Sequence, residues 1–345
     1  MSVSSPAAGR LRFAVTVPLL LVLALVLCAL PFWAGDYWTR IWTGVAMWAG
    51  LAAGWNIIGG YAGYIDFGPV AFFGIGAYAT AILMQPGAGW NFFLTLPVGA
   101  AVAAAFAFVI GWPTLRLRGA YFAIATWAVA EALQQIATVL GITGGSFGLS
   151  TPGNPSTSFF YYAMLIAAVV VYIIIWAVFE RSRFGFRIKA VRDHETAAQS
   201  LGINTTAVKL QAYVLSAAIP AVFGGIDAYW ITFINPQSVL GGQITDQMVV
   251  MALVGGLGNA WGPALGATVL YLLSTWLGAT FGSSTSYIAI IGALVALIVL
   301  FLPDGLAGLF PRAKKMKLVY QLLARSIPRV RGRAKPASGA HDERS

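Results

Sequence analysis

Apolar residues arrive in long runs separated by short polar breaks, and the runs do not alternate with polar residues at every second position. Continuous runs of this length predict helices rather than strands. Ten stretches stand out: 13–32, 41–58, 66–84, 91–112, 119–140, 159–179, 210–233, 242–257, 261–279 and 284–302. Most approach the roughly 20 residues that a helix needs to cross a hydrocarbon core of about 30 Å. Two are irregular. "GGYAGYIDFGPVAFFGIGAYATAIL" (59–83) is rich in glycine and interrupted by Pro69, and "GGQITDQMVVMALVGGLGNAWGP" (241–263) has a short apolar core. Either can be a broken or re-entrant segment, and one such segment is expected; a membrane tolerates it only where protein or water covers the freed backbone. The pattern predicts an all-α polytopic membrane protein, a bundle of about 8–10 transmembrane helices.

Composition agrees. Hydrophobic residues make up 59% of the chain and charged residues only 9%, against roughly 25% charged in soluble domains. The first run follows Arg10 and Arg12 and lacks a small-x-small cleavage pattern, so it reads as a retained span rather than a signal peptide. Cys28, inside it, is the single cysteine and can form no internal disulfide.

Charge sets the expected orientation. Alternate crossings from a cytoplasmic N-terminus put all but Arg40 of the 21 lysines and arginines on one side, the cytoplasmic side by the positive-inside tendency. The expected layout is a cytoplasmic N-terminus (1–12), a transmembrane domain (13–302) with a cytoplasmic loop at 180–209, and a basic tail (303–345). The tail begins as an interfacial helix, with Leu318, Val319, Leu322 and Leu323 on one side, and ends disordered. Basic charge gathered on one membrane face points to anionic lipid rather than nucleic acid. Trp33, Trp38 and Trp42 read as interfacial anchors at the other face.

The longest polar interruption is "RSRFGFRIKAVRDHETAAQSLGINTTAVKL" (181–210). Ile188, Val191, Ala198 and Leu201 can line one side of a short helix, with Arg187, Arg192, Glu195 and Gln199 facing elsewhere. Gly202 suits its end, since glycine accepts the left-handed conformation there. Charge alone leaves two readings open: a solvated loop that fixes topology, or an amphipathic helix that docks on a cytoplasmic partner.

Inside the spans, Glu131 stands about 18 Å from the start of its helix at 1.5 Å per residue. Gln134, Gln135 and Thr138 follow at helical spacing to make a polar stripe. Burying an ionisable group there costs at least about 2.5 kcal/mol, so such groups face a bundle interior or an aqueous cavity. Asp227 raises the same question without a stripe. Asp66, beside Gly68 and Pro69, fits a broken helix end, where partial charges can hold charged solute groups. Gly74 and Gly76 either contact cargo or, more simply, allow tight packing. Asp66, Gly74, Gly76, Glu131, Gln134, Gln135 and Asp227 are therefore the pathway candidates. No G-x-x-x-x-G-K-[ST] phosphate loop occurs, nor any H-E-x-x-H or Ser-His-Asp set, and His194 and His341 are the only histidines. An intramembrane enzyme is excluded for want of a nucleophile or metal set, and no cofactor or metal site is expected in this chain.

"TAAQSLGIN" (196–204), following the basic "RSRFGFRIKAVRD", resembles the cytoplasmic coupling loop of permease subunits of ATP-binding-cassette importers. With "GYIDFGPVAFFGIGAYATAIL" (63–83), "LRGAYFAIATWAVAE" (117–131), "TGGSFGL" (143–149), "LSAAIPAVFGG" (215–225) and "LVGGLGNAWGPALGA" (253–267), the chain is similar to the branched-chain amino-acid importer permeases of LivM type. The resemblance implies a non-catalytic subunit of the bacterial inner membrane. It would carry a small polar or zwitterionic solute, foremost branched-chain amino acids. It also implies two ATPase subunits holding ATP and Mg, a second LivH-like permease subunit and an extracytoplasmic solute-binding protein. By the same resemblance the segment 187–204 sits in an ATPase cleft. There Arg187 belongs to the docking segment, Ala197 and Ala198 allow close approach, Gly202 bends the chain, and Arg192 and Glu195 supply polar contacts. The residues alone leave a rival open: a self-sufficient ion-coupled carrier or channel with Glu131 and Asp227 as coupling acids.

Overall fold

The computed structural model describes residues 26–153, 156–281, 286–302 and 304–309. The first expected span lies mostly outside these residues, although its end, 26–33, is helical. The expectations for residues 1–12 and for the basic tail beyond 309 lie outside them as well.

At the centre stands α1 (Gly35–Asn56), prolonged by a π-helical turn to Tyr61. Its apolar window is 94% buried, against 22–28% for the outer helices, so this helix is surrounded by protein. Small residues make that possible. The Phe223 ring lies where a Cβ on Gly50 would project, and Ile219 does the same at Gly54. Next along the chain come α2 (Pro69–Leu83), α3 (Phe92–Thr114), α4 (Ala120–Val139) and α5 (Thr157–Ile175), the last packed on α1 and prolonged by a π turn to Glu180. Then come two short helices, α6 (Arg183–Asp193) and α7 (Glu195–Ser200), the long α8 (Thr205–Ile231), the five-residue α9 (Pro236–Leu240), α10 (Gln243–Gly255), α11 (Gly262–Phe281) and α12 (Ser286–Phe301). One two-residue strand, β1 (Leu149–Ser150), pairs antiparallel with β2 (Phe233–Ile234).

Six helices among the described residues are long and apolar enough to cross a bilayer, and α2 and most of α12 are shorter apolar helices. The chain is thus a multi-pass, all-α membrane protein. The other expected spans are not among these six because the first lies mostly outside the described residues, α12 is a shorter apolar helix, and two crossings are discontinuous. Residues 62–68 carry no helix before α2 begins at Pro69, and the other crossing is divided between α9 and α10. Asparagine and serine side chains close several helix starts: Asn91 accepts from the Phe93 amide, Ser182 from Phe184 and Asn204 from Ala207.

The tightest contact joins α2 to α8. A Cβ on Gly76 would strike the Ala221 carbonyl, and one on Gly224 would strike the Phe73 carbonyl, so the two backbones meet directly. On the outer faces of α3 and α5, Val102, Val109, Ile166 and Ile173 are exposed as lipid-facing residues would be. The molecule has two distinct ends. The basic end gathers Tyr61, Arg116, Arg118, α6, α7 and the turn after α10. The opposite end gathers Gln85, Thr232 and the β1–β2 ribbon, where the Gln85 amide donates to the Ser150 carbonyl. Near that end Trp33 and Trp38 are exposed and Trp42 half-buried.

Candidate functional site

The two discontinuous crossings meet. The Val70 amide, in the first turn of α2, has no helical acceptor and donates instead to Thr245 Oγ1 of α10 at 3.0 Å. Leu240 of α9 lies where a Cβ on Gly74 would project, so glycine there lets the short helix seat against α2. Asp66 is fully buried just before α2. Its Oδ1 accepts from the Gly68 amide at 2.8 Å, and its carbonyl accepts from the indole of Trp55 at 2.7 Å. The neighbouring Phe67 amide donates to Thr126 Oγ1 of α4 at 3.1 Å. These bonds hold non-helical backbone at membrane depth, where every amide needs a partner.

A cavity of about 60 Å³ opens at this junction, walled by Phe67, Val70 and Trp127 and by the polar groups Glu131, Thr245 and Asp246. Small-molecule sites begin near 300 Å³, so this chain alone does not enclose a solute there. A larger cavity of about 370 Å³ lies between α3, α5 and α8, among Leu96, Ile166, Val170, Leu215 and Val222, with no charged side chain in its wall. It offers a zwitterion nothing to bind.

The expected polar stripe of α4 divides. Glu131 and Gln135 are exposed and bonded to each other at 3.1 Å, while Gln134 is buried and donates to Gln237 of α9 at 3.0 Å. Thr138 only returns a bond to the Gln134 carbonyl. Gly74 and Gly76 are both buried in helix packing and border neither cavity. Asp227 lies elsewhere, near the opposite end of α8 and facing Tyr271 of α11, so it is not brought together with Glu131. Asp246, Thr245, Trp127, Phe67 and Gln237 were not anticipated. A signal for α9 was present, however. In "NPQS" (235–238) Asn235 caps the helix, Pro236 takes its first position, and Ser238 completes a capping box.

At the basic end the expected single helix is two. His194, with φ −154° and ψ 95°, breaks the chain between α6 and α7, and the helical periodicity restarts there. Ile188, Val191 and Ala198 are buried as expected, but Leu201, just past the end of α7, is 82% exposed instead of joining them. Gly202 has φ +81°. Its amide donates to the Gln199 carbonyl at 2.9 Å and the Ile203 amide to Ala198 at 3.1 Å, a Schellman end to α7. Exposed on this surface are Phe186, at 71%, Arg187, Ala197 and Leu201. Phe186 was missed because its neighbours drew attention as charges.

Arg192 and Glu195 have partners within the chain. Arg192 Nη1 donates to the Gly60 carbonyl at 2.9 Å. Glu195 accepts from Lys209 Nζ at 2.7 Å and from Tyr64 Oη at 3.2 Å, with Arg118 Nη2 at 3.5 Å. Lys209, 4% exposed, also donates to Tyr64 Oη and to the Leu115 carbonyl. Burial works to raise the Glu195 carboxyl, but the bonds from Lys209 and Tyr64 and the charge of Arg118 outweigh it and hold it below the usual carboxylate range. The polar contacts expected of Arg192 and Glu195 are thus made, in this structure, to the chain's own broken crossing and helix starts.

Comparison with known proteins adds the following. The family described as branched-chain amino acid transport system / permease component matches residues 37–302. The LivM permease protein of the high-affinity branched-chain amino acid transport system of Escherichia coli K12 is 29% identical over 333 residues, 87% of this chain and 77% of that one. Its counterpart from Salmonella typhimurium LT2 is 28% identical over 331 residues, covering 86% and 76%. The LivH permease protein of Escherichia coli K12 is 27% identical over 284 residues, covering 75% and 90%. No solved structure gives a significant match.

Proposed function

The chain belongs to the branched-chain amino acid transport permease family, and from that premise we propose that it forms one wall of an importer's pathway for branched-chain amino acids. One observation carries this reading. Glu131, Gln135 and Asp246 are exposed beside the junction of the broken crossings, on a face that no other described part of the chain covers. Each such acid facing lipid near the bilayer centre would cost about 2.5–3.5 kcal/mol. A second permease subunit, with water between the two, removes that cost and enlarges the 60 Å³ cavity toward the size a solute needs. Glu131 and Asp246 would face an ammonium group, and Trp127, Phe67 and Val70 an apolar side chain.

Energy comes from elsewhere, because the chain has no phosphate loop. In this reading the basic end is cytoplasmic, and a separate ATPase subunit docks on the surface formed by Phe186, Arg187, Ala197 and Leu201. Gly202 bends the chain away behind α7. An extracytoplasmic solute-binding protein delivers cargo to the opposite end. The ion-coupled alternative needs two acids acting together, and the separation of Asp227 from Glu131 gives it no support. Co-purification tests the docking surface. The wild-type chain should bring an ATPase with it from its native membrane, and Leu201→Glu should lose that ATPase while still inserting and keeping its melting temperature. An ATPase retained on L201E would contradict the assignment.

A further inference from the structure

The coupling surface and the solute cavity are far apart along the chain. Covalently, α6 and α7 reach the rest of the bundle only through α5 and α8, both whole membrane-crossing helices. Side chains offer a shorter path. Three ties run from the α5–α8 connection to the start of the non-helical stretch 62–68 and the π turn before it. Tyr61 Oη donates to Glu180 Oε1 at 2.6 Å, where the π turns ending α1 and α5 meet, and Lys189 holds the other Glu180 oxygen at 3.3 Å. Arg192 reaches the Gly60 carbonyl, and its Cγ lies 2.7 Å from where a Cβ on Gly63 would stand, so Gly63, at φ +77°, fits only as glycine. Tyr64 bonds both Glu195 and Lys209. Three residues beyond Tyr64 is Phe67, in the cavity wall, no more than about 11 Å away even in a fully extended chain.

We infer that Tyr64 and Glu195 are positioning residues that carry movement of α7 to the 62–68 stretch, and so to the cavity wall formed by Phe67 and Val70. Neither touches solute or ATPase. The stretch suits the role because from Tyr64 to Gly68 it is held not by a helical ladder but by single bonds, with the Phe67 amide donating to Thr126 and the Trp55 indole donating to the Asp66 carbonyl. The near end is firmly held: a 2.7 Å charge-assisted bond fixes Glu195 to a buried lysine, and the Tyr64 ring stacks edge-on against Phe122 of α4 at 5.3 Å. Pulling α7 away from α4 therefore draws Tyr64 between two elements, and the four residues after it must follow.

This inference rests on reading the basic end as the ATPase contact, and one experiment separates the two. The complete importer (this chain, its partner permease, ATPases and binding protein) is reconstituted in proteoliposomes, and ATP hydrolysis and radiolabelled leucine uptake are measured together. Tyr64→Phe removes one hydroxyl, and the double variant Glu195→Gln/Lys209→Met removes both charges of the buried pair, leaving only the solvent-exposed Arg118 without its acid. Both should keep the ATPase bound and hydrolysing while leucine carried per ATP falls fivefold or more, the lower end of ordinary coupling strengths. A merely structural role would lower melting temperature, hydrolysis and uptake together and leave the ratio unchanged. An unchanged ratio in both variants overturns the link and leaves the docking surface standing. A wild-type complex without bound ATPase overturns the docking surface and the link with it.

Discussion

Lys209 sits in the second turn of α8, 4% exposed, with Glu195 at 2.7 Å. Such a pair contributes little by itself compared with two apolar residues, but losing one member strands the other. Lys209→Met should therefore cost about 3 kcal/mol of stability, and the double variant with Glu195→Gln less than the sum of the two single changes. Melting curves of the detergent-solubilised protein check both. The pair also has a pH signature. The folded Glu195 carboxyl is depressed below its usual value, so its contribution is complete above the ordinary glutamate value of 4.5 and is lost as pH falls through the lower, folded value. Glu195→Gln should remove that part of the acid limb of the melting-temperature profile; an unchanged acid limb would show that the ion pair is not formed. The sequence made the basic passage obvious but not this partnership. Lys209 reads there as one more positive charge. Only the turn at Gly202, which brings α8 back beside α7, gives it an acid fourteen residues earlier.

Elements were more legible than side-chain partners. The spans over α3, α4, α5, α8 and α11 agree with their helices to within a few residues because lipid demands an unbroken apolar run. Both irregular stretches are broken crossings, one more than Pro69 and the glycines led us to expect. What escaped were short pieces set by tertiary contact: α9, the β1–β2 ribbon and the division of α6 from α7 at His194. Five-residue helices and two-residue strands have too few positions for a period to emerge. Two changes test the junctions of these elements. Thr245→Val leaves the Val70 amide without its acceptor and should cost about 1–3 kcal/mol. Gly76→Ala places a methyl against the Ala221 carbonyl and should cost a similar 1–3 kcal/mol by roughly ordinary overpacking. Gly87→Ala, in an exposed turn where nothing lies within 4 Å of the added Cβ, is the control and should melt as wild type does. Equal melting temperatures for Gly76→Ala and the control would contradict the direct backbone contact of α2 and α8.

At the scale of the whole molecule, Arg116, Arg118 and the basic residues of α6 gather at one end of the bundle, and the broken crossings meet in its interior. Between them lie the ties through Tyr61, Gly60 and Tyr64. The account is of a bundle that provides a wall and a lever but no motor. Its most direct test is leucine uptake into proteoliposomes containing either this chain alone or the complete importer, each supplied with ATP or with a proton gradient. The account predicts uptake only by the complete importer with ATP. Uptake by the lone chain on a proton gradient would contradict it.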